Sequence, residues 1–267
     1  MKAFLHHLSY DFKTGIRDKG KLLMYYLLPL VFFAFMGALM TAVNPLFKDL
    51  MLASMIMFAV MSSALLFIPT SLIRERETGV FRSYRINGVP SASILTVPIV
   101  STAFHMAVVA VIICLAGPAL FGGVPPSNIP GFIAGGILSY LVFAGIGTLI
   151  GVAAANDGVS VMISQCLYIP SIILGGLMMP ASVLPAGLKR IALLFPASHT
   201  MRAFEALGTA GSPFPWREVV LLAASVVINF GLAGLLFQWD SRARQPSRKA
   251  WGALLAVVPF AIAVAVG

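Results

Sequence analysis

The chain alternates long apolar runs with short polar ones. Residues 22–43 carry no charge, residues 50–73 carry none, and from 86 to 156 there is no Asp, Glu, Lys or Arg at all. The turn-rich stretch 117–130, with Gly122, Gly123, Pro125 and Pro126, divides that third run into 93–116 and 131–155. Two further runs follow at 159–179 and 219–239. A bilayer core about 30 Å thick takes about 20 apolar residues of helix, so each run predicts one crossing. None of them alternates with a period of two, and backbone groups in lipid must be satisfied within a helix or a closed barrel, so the spans are helices. Residues 250–267 are long enough for a seventh span but are interrupted by Pro259. The pattern thus predicts an all-α integral membrane protein: an N-terminal segment 1–21, a six-span domain 22–239, and a basic linker with an apolar tail at 240–267.

Two segments outside the spans are amphipathic. Phe4, Leu5, Leu8, Phe12 and Ile16 share one helical face with Lys2, Asp11 and Lys13 elsewhere, which predicts an interfacial helix before the first span. Between 180 and 215 five prolines break the chain too often for a single crossing. There Leu184, Leu188, Ile191 and Phe195 form an apolar face with Lys189 and Arg190 on another. Ser198 is placed to cap a second short helix ending at Gly208, which sets His199, Arg202 and Glu205 three apart on one side. These two helices either gate a central pathway, with that trio as the gate, or rest in the headgroup layer.

Composition narrows the function. At 59% hydrophobic and 10% charged, the chain cannot clothe a soluble fold of this size in polar groups, which excludes an ordinary soluble enzyme, a disordered tail and a nucleic-acid binder. The net charge of +9 is first an orientation signal. With the N-terminus in the cytoplasm, 13 of the 18 Lys and Arg lie inside: five before the first span, four in 74–85 and four in 242–249. Cys114 and Cys166 sit in apolar runs and read as small core side chains.

The densest charge is Arg74-Glu75-Arg76-Glu77-Thr78-Gly79-Val80-Phe81-Arg82-Ser83-Tyr84-Arg85, a mixed-sign segment that predicts a short helix beyond the membrane, bent at Gly79. Ser91 is offered as the cap of the third span. Such a loop either just stops translocation or makes a docking surface. Two spans, a Glu75-Arg76-Glu77-x-Gly79 segment and a Gly88-Val89-Pro90 start to the third span, in that order, resemble the type-2 ABC transporter permease family. A second stretch agrees. Gly175-Gly176-Leu177-Met178-Met179-Pro180, then Leu184-Pro185 and Phe195-Pro196 ahead of Arg202-Ala203, is similar to that family's segment after the fifth span, where the chain re-enters the membrane from outside. The resemblance covers residues 1 to about 240; the apolar tail after Lys249 departs from it.

The resemblance implies that 74–92 is a coupling loop seated in a groove of an ATP-binding subunit, with Arg74, Glu75, Arg76, Glu77, Gly79, Arg82 and Arg85 as its contacts. It also implies two ATP-binding subunits and a second permease subunit, in a homodimer or a heterodimer. ATP and Mg belong to the partner; no G-x-x-x-x-G-K-[ST] exists in this chain and no cofactor is expected in it. In that family the second and fifth spans line the pathway, which favours Phe58, Met61, Gln165 and Tyr168 as substrate contacts. The Met and Phe of the second span (Met51, Met55, Met57, Phe58, Met61, Phe67) suit a wall for apolar ligands, and contact with membrane lipids explains them equally well. His105, Gln165, Tyr168 and Asn229 are polar groups inside spans, either lining a path or bonding between helices; His105 reads as a neutral, satisfied core histidine.

The expected function is the permease subunit of an ATP-driven exporter of a drug, antibiotic or lipid in the cell membrane. The rival is a secondary transporter or channel, disfavoured because no carboxylate lies mid-span. An intramembrane enzyme would need a motif such as G-x-S-x-G or H-E-x-x-H, and neither occurs.

Overall fold

The structure, a computed structural model, describes residues 2–178, 184–239 and 248–266. Met179-Pro180 of the second motif and Arg242 and Arg244 of the basic linker therefore lie outside the described residues. Among the described residues six helices are long and apolar enough to cross a membrane: α2 (Lys19–Val43), α3 (Phe47–Glu77), α5 (Ser91–Phe121), α6 (Ile129–Ala153), α7 (Asp157–Leu174) and α10 (Trp216–Leu236). The shorter helices are α1 (Lys2–Arg17), α4 (Val80–Ile86), α8 (Ala186–Ala192) and α9 (Pro196–Gly208). The tail is a 3₁₀ stretch, Arg248–Val257, running into α11 (Val258–Val266). It packs on α10 and α6, and its apolar helix Leu255–Val264 is shorter than a span.

The all-α membrane architecture is as the hydropathy predicts; α3 and α5 overrun their predicted runs at both ends, whereas α6, α7 and α10 start before theirs and stop short of the end. Two of them also widen. The turns Leu23–Leu27 and Ser63–Phe67 are π-helical, and each stands just before a proline, Pro29 or Pro69. A proline has no N–H and crowds the carbonyl four residues back, so the ladder lengthens by one residue there.

The bundle is built around α3. Of its most apolar window 89% is buried, against 67% for α6 and 22–39% for the other four spans. Met51, Met55, Met57, Phe58 and Met61 are all core residues, so of the two readings of that Met-rich span, lipid contact is removed within this chain. Glycines on α6 set the close approaches. Gly131 and Gly135 lie against Leu207 and Phe204 of α9, Gly147 and Gly151 against Ala64, Pro69 and Leu72 of α3, and Gly145 against Asn229 and Phe230 of α10.

Local chemistry differs from expectation at two caps. The N-cap of α5 is Pro90, extended at φ −65° and ψ 145°, and Ser91 is already helical. Pro90 does the ordering because its ring holds φ and its carbonyl accepts from Ser93 N at 3.0 Å. Likewise α9 starts at Pro196, and the Ser198 hydroxyl donates back to the Ala192 carbonyl at 2.7 Å, tying α9 to α8 rather than capping it. Inside the spans His105 is satisfied: its Nδ1 lies 2.7 Å from the Tyr26 hydroxyl and its ring stacks on Tyr25 at 4.9 Å. Asn229 bonds within its own helix, Nδ2 donating to the Ser225 carbonyl and hydroxyl at 2.7 and 2.9 Å.

Candidate functional site

The charged hairpin is made by the last turns of α3, a turn at Thr78-Gly79 and α4. The Thr78 hydroxyl donates to the Arg74 carbonyl at 2.8 Å, and Gly79 takes φ +79°, the left-handed conformation that lets the chain reverse without a Cβ penalty. Past α4, Asn87 Nδ2 donates to the Ser83 carbonyl at 2.8 Å and Val89 N to the Tyr84 carbonyl at 2.9 Å, closing the hairpin before Pro90.

This geometry divides the seven residues named for coupling. Arg74, Glu77, Gly79, Arg82 and Arg85 are exposed, whereas Glu75 and Arg76 turn inward. Arg76 donates to the carbonyls of Val152 (3.2 Å) and Ala154 (2.7 Å) at the end of α6, and Glu75 Oε1 accepts from the Ser71 hydroxyl at 3.5 Å. The hairpin also presents a residue that charge-based reading passed over: Ile86, at the end of α4, is 80% exposed. Its signal was available, since it is the lone large aliphatic closing a charged segment. The opposite face of α4 is anchored, with Phe81 buried against Phe237 at 5.5 Å between ring centroids. Tyr84 lies 4.6 Å from the His7 ring of α1. Burial lowers the His7 pKa against the pull of Asp11, while burial first, then Glu75, Tyr10 and Asp11, push the Tyr84 phenol up.

Within the membrane region Phe58 and Tyr168 come together, 5.9 Å apart, and Phe58 stacks nearly parallel on Phe32 of α2 at 3.6 Å. Met61 is fully buried on the same helix as Phe58, and Gln165 is half-buried. Ser160, Ser164, Tyr168 and Ser171 follow helical spacing along the inner face of α7, while Val161, Met162, Ile169 and Ile173 face outward. The hydroxyls of Ser160, Ser164 and Ser171 are buried without a hydrogen-bond partner, a polar stripe that the sequence reading did not single out.

At the other end of the bundle His199, Arg202 and Glu205 do not share one surface. His199 is buried with Nε2 3.0 Å from the Leu193 carbonyl, Arg202 is exposed, and Glu205 is half-buried. The far end of α9 is fastened to the α5–α6 loop: Asn128 Nδ2 donates to the Leu207 carbonyl at 2.9 Å and Ala210 N to the Ser127 hydroxyl at 2.8 Å. Burial raises the Glu205 pKa to about 7, with Arg202 opposing. A carboxyl raised in the folded state binds protons that the unfolded chain has released, so its contribution to stability is lost as pH rises from about 4.5 to 7. His199, lowered chiefly by burial, contributes with the opposite sign, so the comparison that isolates the carboxyl is with a variant. Glu205→Gln is expected to be more stable than the parent at pH 8 and to lose this advantage at pH 5, measured as the thermal midpoint in detergent; equal midpoints at both pH values would contradict it.

A buried helical core and six membrane-length helices among the described residues, with a charged hairpin at one end of the bundle, define a multi-pass membrane protein. Residues 41–237 match the family described as ABC-2 family transporter protein, and the chain belongs to that family. It is also similar to the "Putative transport permease YvfS" of Bacillus subtilis (strain 168), at 24% identity over 223 residues that cover 82% of this chain and 90% of that protein. The chain is thus a membrane-embedded transport subunit, and the family implies association with an ABC ATP-binding subunit.

Proposed function

We propose that the chain is the permease subunit of an ATP-driven exporter of apolar or amphipathic compounds, a drug, an antibiotic or a lipid. It works with two ATP-binding subunits and a second permease subunit, like or unlike itself, and its hairpin end faces the cytoplasm. ATP and Mg are bound by the partner. The observation that supports this best is the division of the hairpin: one face, with Arg74, Glu77, Arg82, Arg85 and Ile86, is exposed, and the other is locked to α6 and to the end of α10 through Arg76 and Phe81. A surface so anchored moves the spans when a partner moves it. The Phe32, Phe58 and Tyr168 ladder and the serine stripe of α7 supply apolar and hydroxyl contacts where those spans meet. Export requires that the compound bind the two states unequally, since equal affinity leaves the cycle nothing to move.

The test is efflux of a fluorescent amphiphilic dye from cells carrying the chain with its ATP-binding subunit. Depleting ATP while ion gradients are kept intact is expected to abolish the efflux, and the two subunits are expected to purify together. Efflux that survives ATP depletion favours a secondary transporter or channel and overturns the reading.

A further inference from the structure

We propose that Arg76 is a latch that joins the hairpin to the fourth span, so that displacement of α4 moves α6 together with α3; its role in transmission rests on the coupling function proposed above. The last carbonyls of an α-helix have no partner within the helix and must find one outside it. The residue after α6, Ala154, leaves it in an extended conformation, φ −67° and ψ 139°, and is 4% exposed. It forms no left-handed stop of the kind that would let the chain cap itself. The caps come instead from α3: Arg76 Nη1 reaches the Val152 carbonyl at 3.2 Å and Nη2 the Ala154 carbonyl at 2.7 Å.

The chemistry of the group suits that task. A guanidinium offers its donors in a rigid planar fork, so it holds two acceptors at a set separation, and a cation at a helix C-terminus also meets the negative end of the helix dipole. A residue that served only to keep the hairpin out of the membrane would do so from an exposed position, as Arg74 does on the same helix.

What surrounds the latch makes it mechanical. α3 and α6 already touch backbone to backbone, with Gly147 against the Ala64 carbonyl and Gly151 against Pro69. Beyond Gly151 the guanidinium of Arg76 extends the contact to the Val152 and Ala154 carbonyls. On the hairpin side Arg76 and Leu72 line, with Phe81, Gly151, Val152 and Phe237, a small cleft of about 10 Å³, room for about one water. The hairpin meets the α10 end through the packing of Phe81 on Phe237, while the guanidinium is its directional, hydrogen-bonded tie to the α6 end. Losing the tie should let α4 swing without carrying α6.

The test uses the full chain in lipid nanodiscs, with Cys114 and Cys166 replaced by Ala and spin labels at Asn87→Cys and Ala155→Cys, both exposed positions. With Arg76 present a single narrow distance distribution is expected. Arg76→Met is expected to broaden it about twofold, and Arg76→Lys, which reaches one carbonyl, to fall between. In the complex with the ATP-binding subunit, nucleotide trapped with vanadate is measured for the parent and for Arg76→Met. Arg76→Met should lose the trapping-induced distance change between labels at Lys48→Cys and Lys189→Cys at the opposite end, which a purely structural role would leave in proportion to the trapped fraction. A distribution as narrow as the parent's in Arg76→Met overturns the latch. If Arg76→Met does not fold, Arg76→Lys and Arg76→Gln carry the same comparison, and parental behaviour in both overturns it. Absence of any co-purifying ATP-binding subunit overturns the coupling function and the transmission role with it, while the nanodisc distances still decide the latch.

Discussion

Ile86→Asp is expected to reduce ATP-driven efflux more than tenfold while the six spans still insert. Ile86 is the most exposed aliphatic side chain of the hairpin and ends the helix that carries Arg82 and Arg85. Interfaces concentrate their energy in a few large side chains ringed by polar ones, and losing one such anchor costs about 2 kcal/mol or more, which is more than tenfold in an association constant. Aspartate adds the cost of desolvating a carboxylate that no longer faces water. Reversing Glu77 and Arg82 together is expected to act the same way by opposing the partner's charges, with the sharper dependence on salt that exposed charges show. The measurements are retention of the ATP-binding subunit on the purified chain, ATP hydrolysis by the complex, and dye efflux. Insertion is checked by protease accessibility of the loops. Parental efflux and retention in the Ile86 variant would remove the hairpin from the contact.

The second large effect is on the fold. Gly147→Val is expected to abolish recovery of monodisperse protein, and Gly147→Ala to lower the thermal midpoint measurably. A Cβ at Gly147 would fall on the Ala64 carbonyl oxygen of α3, which is backbone and cannot rotate aside. Nor can α3 retreat as a whole, because it is buried on nearly every side. Overpacking a core costs about 1–3 kcal/mol and sometimes more, a large part of the stability of a marginally stable fold. Gly231→Ala is the control. It lies on α10 with nothing within 4 Å of the added carbon, so the expected change is within about 0.5 kcal/mol and is helped by the better helix propensity of alanine. Size-exclusion profiles and melting curves of the three variants in one detergent decide the matter; a Gly147→Val protein that melts like the parent would contradict the packing.

Much of this architecture is legible in the hydropathy, because a helix in lipid must be apolar along its length and the runs mark themselves. The boundaries are less so. α3 begins at Phe47 and takes in Lys48 and Asp49, and it continues through Arg74 to Glu77. A charge-free run ends at the first charge, whereas a helix ends where its hydrogen bonds do. The candidate coupling surface shows the same limit at the level of single residues. Arg74 and Arg76 are the same residue type two positions apart, which on a helix places them on nearly opposite faces. One meets solvent and the other meets carbonyls more than seventy residues further along the chain. Composition ranks the two equally, and it ranks Ile86 below both.

Read by itself, the order of residues determined that this is a membrane protein, how many times the described chain can cross, and that its charge is gathered into a hairpin after the second span. All three follow from the transfer of side chains between water and hydrocarbon, a property each residue carries with it. Only the tertiary structure decided that the Met-rich span is the buried centre, that the serines of α7 line an inner face, and that Arg76 caps α6 while Ile86 stands free. Lipid tails and a protein core are equally apolar, so hydropathy cannot choose between them. That choice is made by close packing at glycines and by the pairing of carbonyls and donors far apart in sequence.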